Sequence, residues 1–312
     1  MKSPHVRVGI AQFAPEVLDL SRSVQKAISI IEQAGKKKIA LLAFPETWIS
    51  VYPVWVDMGT FSVWDHPGAK KLYARLHAHS LEVGSREFRA IASAARKAKV
   101  FVVLGANERS GKSVFNALLF IDENGALVGH HRKLVPTFGE RLVWGHGDAA
   151  GLRVHDTRFG KVGGLVCWEH WMPAARQVLH DLGETIHVAA WPHGKERHQI
   201  ASRHYAFEGR TFVLAAAQYL EKGMFPDDYE LKEEFRSLPE VLLDGGSAII
   251  GPDGEYIIGP VTGREELLTA ELDTQKVIEE SLSLDVSGHY SRPDIFQLQV
   301  RRHRQTGFQR DA

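Results

Sequence analysis

The chain of 312 residues holds one cysteine, Cys167, and its surroundings are those of a working thiol. Gly163-Gly164-Leu165-Val166 reads as the end of a short buried strand, and Trp168-Glu169-His170-Trp171-Met172-Pro173 turns toward a helix opening near Pro173. Side chains at the carboxyl ends of strands in α/β proteins face the crevice where ligands bind. A lone thiol forms no intramolecular disulfide and offers a metal a single sulfur, so it is either a nucleophile or an inert core residue, and free cysteine is commonly buried. Two more polar residues follow apolar strands. Glu46 comes after Leu41-Leu42-Ala43-Phe44-Pro45, and Lys133 follows His130-His131-Arg132. Singly, Glu46 reads as a solvated carboxylate and Lys133 as part of a basic loop. Together, a carboxylate, an ammonium and a thiol at three strand ends make a coherent nucleophilic site.

The elements that must position them alternate. Val8–Ala11 reads as a strand, followed by a helix from about Ser23 with Val24, Ala27, Ile28 and Ile31 on one face and Gly35 closing it. Ile39–Phe44 is a continuous apolar strand ended by Pro45. Phe88, Ile91, Ala92 and Ala95 mark a second helix capped by Ser85, and Val100–Leu104 a further strand. Asn116–Ile121 and Ala126–Gly129 form a hairpin about Asp122-Glu123-Asn124-Gly125. Strand and helix then return at Val162–Val166, Ala175–Leu182, His187–Ala190, Gln199–Glu208 and Phe212–Ala216, with a second hairpin at Pro252-Asp253-Gly254. Doubly buried strands mixed with hairpins and helices predict layered sheets covered by helices on their outer sides. Residues 221–240 read as a charged insertion. Residues 1–285 read as one domain, and 286–312 as a tail rich in Arg and His.

Composition excludes several function classes. Lys plus Arg and Asp plus Glu balance at 38 each, which argues against a nucleic-acid or anionic-membrane surface. The first residues lack the apolar core and cleavage site of a secretory signal, and no stretch approaches the roughly 18 apolar residues of a membrane span. A cytoplasmic protein with a reduced thiol is expected. His193, His198 and His204 cluster in sequence, and His130-His131 lie near Lys133, yet no H-E-x-x-H pattern accompanies them, so capping or surface histidines are expected rather than a metal site. Gly160-Lys161-Val162-Gly163-Gly164 precedes its strand, unlike a dinucleotide-binding turn.

Phe44-Pro45-Glu46-Thr47, the run from Arg132-Lys133-Leu134-Val135-Pro136-Thr137-Phe138-Gly139-Glu140-Arg141 through Leu142-Val143-Trp144-Gly145, and Cys167-Trp168-Glu169 resemble the three signature blocks of the nitrilase superfamily, and more narrowly its nitrilase branch. The likeness continues through Ile186–Pro192, Glu208–Val213 and Gly288–Asp294. It implies an αββα sandwich, a Glu46-Lys133-Cys167 triad and a second glutamate, Glu140, holding the lysine and substrate. It further implies hydrolysis of a nitrile to the carboxylic acid and ammonia, no cofactor and no metal, and homodimers that build larger oligomers or spirals, with residues 221–240 and 286–312 as candidate contacts.

On that resemblance the residue types make chemical sense. Thiolate is the reactive form, and with an ordinary pKa only about 3% is ionised at neutral pH. Lys133 is expected to lower that pKa, Glu46 to take the thiol proton and later activate water, and the Trp168 backbone N–H to add a second donor to the developing charge. Tyr52, Trp48, Phe138, Trp168, Glu169, His170 and Trp191 are the candidate substrate-site residues, their aromatics predicting a pocket for an aromatic, arylaliphatic or longer aliphatic nitrile. Glu169 is expected to brace rather than react. Val51 stands where many nitrilases have glycine and His170 where many have asparagine. Amide- or cyanide-acting relatives with the same triad are the alternative, as is a binding scaffold.

Overall fold

The computed structural model describes residues 5–304. Two sheets stack face to face. The first has strand order β13-β1-β2-β3-β4-β5, where β1 is His5–Gln12, β2 Leu41–Ala43, β3 Phe101–Ser110, β4 Ser113–Ile121, β5 Leu127–Arg132 and β13 Glu266–Asp273. The second runs β10-β11-β9-β8-β7-β6, with β6 His155–Thr157, β7 Gly160–Val166, β8 Ile186–Ala190, β9 Phe212–Ala216, β10 Tyr219–Glu221 and β11 Val241–Ile250, while β12 (Tyr256–Thr262) pairs with β11. At the centre of each sheet three strands run parallel, β1-β2-β3 and β7-β8-β9, and antiparallel strands flank them. Parallel strands need helical crossovers, and those helices cover the outer faces.

Helices α1 (Leu20–Lys36) and α3 (Arg86–Ala98) bury Val24, Ile31, Phe88 and Ile91 against Leu42, Val102 and Leu104. Helices α4 (Pro173–Asp181) and α5 (Glu196–Gly209) pack Val178, Leu179, Ala201 and Tyr205 on the second sheet, whose other face meets Val8, Val103, Leu118 and Phe120. The αββα sandwich expected of the sequence is the architecture observed. Helix α2 (Pro67–Ala78) lies to one side, and α6 (Lys232–Phe235) and α7 (Gln275–Ser281) complete the set.

Some sequence expectations need correction. Helix α1 starts at Leu20, capped by the Asp19 side chain, and runs past Gly35 to Lys36. Strand β3 continues to Ser110 because its polar end pairs with all of β4. Residues 221–240 are not simply a charged loop: Tyr229, Leu231 and Phe235 are buried in a third apolar cluster with Trp55, Phe61 and Leu72. Residues 286–304 carry no helix or strand, and those beyond 304 lie outside the described residues. No helix among the described residues is long and apolar enough to cross a membrane.

Candidate active site

The three strand ends converge. Glu46 follows β2, Lys133 follows β5 and Cys167 follows β7, so one carboxylate, one ammonium and one thiol meet where the sheets face each other. Lys133 Nζ donates to Glu46 Oε1 at 2.9 Å and to Glu140 Oε2 at 2.6 Å, with all three side chains buried. Carboxylate oxygens of Glu46 and Glu140 and the Cys167 Sγ lie within 4.8 Å of one another. Such a donor set invites a metal, but the Lys133 ammonium already bridges both carboxylates and supplies the positive charge there.

The backbone prepares each group. Cys167 sits at φ 52°, in the left-handed region, opening the 3₁₀ turn Cys167–Trp171 and lifting its side chain off the strand. Glu46 is seated by a close approach of strands: a Cβ on Gly105 would lie 1.9 Å from the Pro45 carbonyl oxygen, so glycine is required there. Glu46 N–H donates to the Trp191 carbonyl, and Gln218 Nε2 donates to the Glu46 carbonyl. Val51, at φ 125°, occupies backbone that glycine enters freely, and its carbonyl is held by Asn107 Nδ2 at 2.8 Å while its side chain is fully buried. Glu140 is the third residue of a short 3₁₀ turn, Phe138–Leu142, and the N–H of its capping residue Thr137 donates to Glu140 Oε2; the Tyr52 hydroxyl donates to Oε1 at 2.9 Å.

Charges in this enclosure are strongly perturbed. Burial raises the Glu46 carboxyl to about 7, against the opposing pull of Lys133 and with Glu140 adding to the rise. Burial alone would lower the Lys133 ammonium, but its acidic neighbours Cys167, Glu46 and Glu140 drive it up, so it stays charged at rest. Burial pushes the Cys167 thiol well above its usual range, Glu46 pushes it further, and Lys133 only partly offsets them. Lys133 lowers the thiol pKa as expected, but burial and Glu46 outweigh it, so the ammonium alone does not leave a resting thiolate. Two carboxylates already share one ammonium, and a resting thiolate would be a third buried anion. The sulfur must lose its proton as it attacks. Glu46 Oε1 is committed to Lys133 and to Asn116 Nδ2 at 2.6 Å, while the buried Oε2 has no hydrogen-bond partner among the described residues. That oxygen is available to accept a proton.

A cavity of about 410 Å³ opens onto Cys167 and Glu140, within the size range of small-molecule sites. Tyr52, Phe138 and Trp168 line it, as expected, with Trp168 stacked on His198. Four other candidates lie behind it. Trp48 is fully buried in the cluster under α1 and α3, its Nε1 donating to the Phe13 carbonyl. Trp191 is buried with its Nε1 on Ser202 Oγ. Glu169 accepts from His131 and from the Leu134 and Val166 N–H groups; these hold it ionised against burial, so it ties the Lys133 and Cys167 segments together. His170 is buried beneath the Cys167 backbone. In each case the side chain satisfies its polar atoms on protein and presents none to the cavity.

Sequence reasoning missed Asn116 on Glu46, Asn107 bridging the Ile49 and Val51 carbonyls to Trp144 Nε1, and Asp57, His193 and His198 at the cavity wall. Asn116 was findable: a polar residue between Val114-Phe115 and the apolar run Ala117–Ile121 must be satisfied within the core. Of the sequence-clustered histidines, His204 pairs outward with Glu208, away from the His193–His198 contact.

Fold and site together define an αββα sandwich in which a buried cysteine, a lysine and two glutamates meet at the mouth of a cavity. Residues 7–279 match the carbon-nitrogen hydrolase family model. The chain belongs to that family, the nitrilase superfamily. It is 37% identical over 310 residues to an aliphatic nitrilase of Rhodococcus rhodochrous, covering 95% of this chain and 79% of that one. It is 35% identical over 305 residues to nitrilase 1 of Arabidopsis thaliana, covering 96% and 88% respectively. Among solved structures, the C. elegans NitFhit protein superposes with a TM-score of 0.72 at 18% identity, covering 96% of this chain and 68% of that one. An amidase from Nesterenkonia gives 0.64 at 16% identity, covering 89% and 94%. At these identities the structures speak for the fold alone.

Proposed function

We propose that this chain is a nitrilase that converts an organic nitrile and two waters into a carboxylic acid and ammonia. The carrying observation is a buried Cys167 whose Sγ lies within 4.8 Å of Glu46 and Glu140 carboxylate oxygens, with the second Glu46 oxygen unengaged and Lys133 fixed between the two carboxylates. Relatives named nitrilase at 35–40% identity along nearly the whole chain support the substrate class.

The steps follow from those positions. Sγ attacks the nitrile carbon as Glu46 Oε2 takes the thiol proton, and the carbon–nitrogen π electrons pass to nitrogen, which gains a proton from Lys133 Nζ. The result is a thioimidate. Glu46 returns its proton to Lys133 and then deprotonates the first water, whose addition and loss of ammonia leave a thioester. A second water, activated by Glu46, releases the acid and restores the thiol. The Lys133 ammonium and the Trp168 N–H stabilise charge on nitrogen and later on oxygen. Glu140, bound to Lys133, Tyr52 and Thr137, positions rather than reacts. Tyr52, Phe138 and Trp168 form the walls, which suit an aromatic, arylaliphatic or longer aliphatic nitrile. A reduced thiol suits a reducing compartment, and we place the protein in the cytoplasm. Residues 286–312 are proposed as a contact between copies in a homo-oligomer.

The test is ammonia release across aliphatic, aromatic and arylacetonitrile substrates, with amides and cyanide alongside, together with intact-mass spectra during turnover. Turnover of nitriles with a covalent mass increase, lost in Cys167→Ala, supports the reading. Turnover of amides alone sinks it in favour of an amidase.

A further inference from the structure

Behind Cys167, on the side away from the cavity, polar side chains run in file through a fully buried region. His170 Nδ1 lies 2.7 Å from the Cys167 carbonyl oxygen, and His170 Nε2 lies 2.9 Å from His187 Nε2 on β8. His187 Nδ1 lies 2.9 Å from Glu184 Oε1, and the Tyr205 hydroxyl on α5 donates to Glu184 Oε2 at 2.6 Å. The Tyr205 ring stacks on His187 at 3.7 Å, and Arg176 on α4 donates to the His170 carbonyl at 2.9 Å.

Valence assigns the protons. A carbonyl oxygen only accepts, so His170 carries its proton on Nδ1. Its Nε2 is then bare, and the facing His187 Nε2 must hold a proton. With His187 uncharged its Nδ1 is then bare, and an ionised Glu184 would set two lone pairs against each other; the other arrangement, an imidazolium beside a carboxylate, would place a charged pair in this buried region. A protonated Glu184 completes the file. Burial acts in the same direction, raising the Glu184 carboxyl to about 8 and holding both imidazoles well below their usual range. The peptide at the end of this file is Cys167–Trp168, whose N–H faces the sulfur.

We propose that Glu184 and His187 are positioning residues: acting through His170, a neutral Glu184 sends a one-directional chain of hydrogen bonds to the Cys167 carbonyl and keeps the Trp168 N–H of the same peptide aimed at the reacting centre. Aligned hydrogen bonds polarise one another, so the carbonyl contact also strengthens that N–H as a donor. The proposal rests on the cysteine-nitrilase reading. Groups facing Glu184 are His187 on β8, Tyr205 with Glu208 behind it on α5, His180 and Arg176 on α4, and the Gly163 N–H on β7. When Glu184 loses its proton, His187 must turn its proton toward it, and two bare Nε2 atoms meet at 2.9 Å. Relieving that clash moves the His170 proton from Nδ1 to Nε2, which frees the Cys167 carbonyl, and kcat falls as pH rises through about 8.

The test compares Glu184→Leu and Glu184→Gln by kcat and KM on one nitrile between pH 6 and 10. Deleting a donor to developing charge costs about 10²–10³-fold, so misaiming one in Glu184→Leu should lower kcat by about 10- to 100-fold with KM little changed. Glu184→Gln should recover most of that loss, because its amide donates to His187 while its oxygen accepts from Tyr205, and its kcat should no longer fall above pH 8. A Glu184→Leu variant with wild-type kcat overturns the proposal. So does a Glu184→Gln variant as slow as Glu184→Leu, or one that keeps the alkaline loss; this second variant decides if the first does not fold. Cys167→Ala, assayed in parallel, separates the two ideas. Turnover there removes cysteine chemistry altogether, whereas an inactive Cys167→Ala beside an indifferent Glu184 pair removes only the relay.

Discussion

At the scale of single residues the site is a charge balance of two carboxylates, one ammonium and a neutral thiol. Removing the cation breaks it. Lys133→Ala leaves Glu46 and Glu140 buried without their shared partner, so it should abolish turnover and also cost about 3–5 kcal/mol of stability, read as a fall in melting temperature. Cys167→Ala removes only the sulfur and should abolish turnover with little loss of stability; persistent activity there would mean that another group attacks. Protonation sets the acid limb. Glu46 titrates at about 7 because burial disfavours its charge, and only its ionised form can take the thiol proton. As pH drops through about 7 the carboxyl fills and kcat/KM should fall. That parameter reports the free enzyme. A rate constant unchanged down to pH 5 would remove Glu46 from the role of base.

At the scale of elements, the strand ends are what place the site, and they were legible in the sequence because continuous apolar runs end abruptly in charged residues. Glu46 was readable for that reason, Cys167 as the one cysteine after the apolar strand Val162–Val166, and Lys133 only beside the other two. Helix α2 was not, since its buried face amounts to Ala69, Leu72 and Leu76, too sparse a stripe to stand out. The aromatics were legible as a group but not one by one. The turns that follow the strands set each direction, so Trp48 and Trp191 are buried in the protein while Tyr52 and Trp168, the latter in the 3₁₀ turn after β7, reach the cavity. The proton order behind Cys167 was illegible, because it depends on which ring nitrogens meet across β7, β8 and α5. Close packing of elements also sets tolerance. A methyl at Gly105 would overlap the Pro45 carbonyl, pushing the turn that carries Glu46 away from Lys133. Gly105→Ala should therefore lower kcat and stability together, the latter by about 1–3 kcal/mol as for overpacked sites. Wild-type kcat and melting temperature would show that β2 and β3 can part without disturbing the base.

At the scale of the whole molecule, the cavity sits at the strand ends, and none of the described residues of the last segment lines it. That segment folds back through Arg304, which donates to the His130 carbonyl, and through Ser287, which donates to Asp181. Between those anchors it turns apolar side chains outward: Ile295 is 56% exposed and Phe296 76%. A surface that places large apolar groups in water beside charged neighbours is an association site in search of a partner, and a second copy of the chain is the partner proposed. Replacing both with aspartate should then split the assembly, because charges on each copy would face one another across the contact, while exposed positions contribute little to the fold itself. The expected outcome is a shift to smaller particles in size-exclusion chromatography with light scattering, at an unchanged melting temperature of the smallest species. An assembly of undiminished size would place the contact elsewhere on the molecule, and a wild-type protein that is monomeric and fully active would remove the need for one.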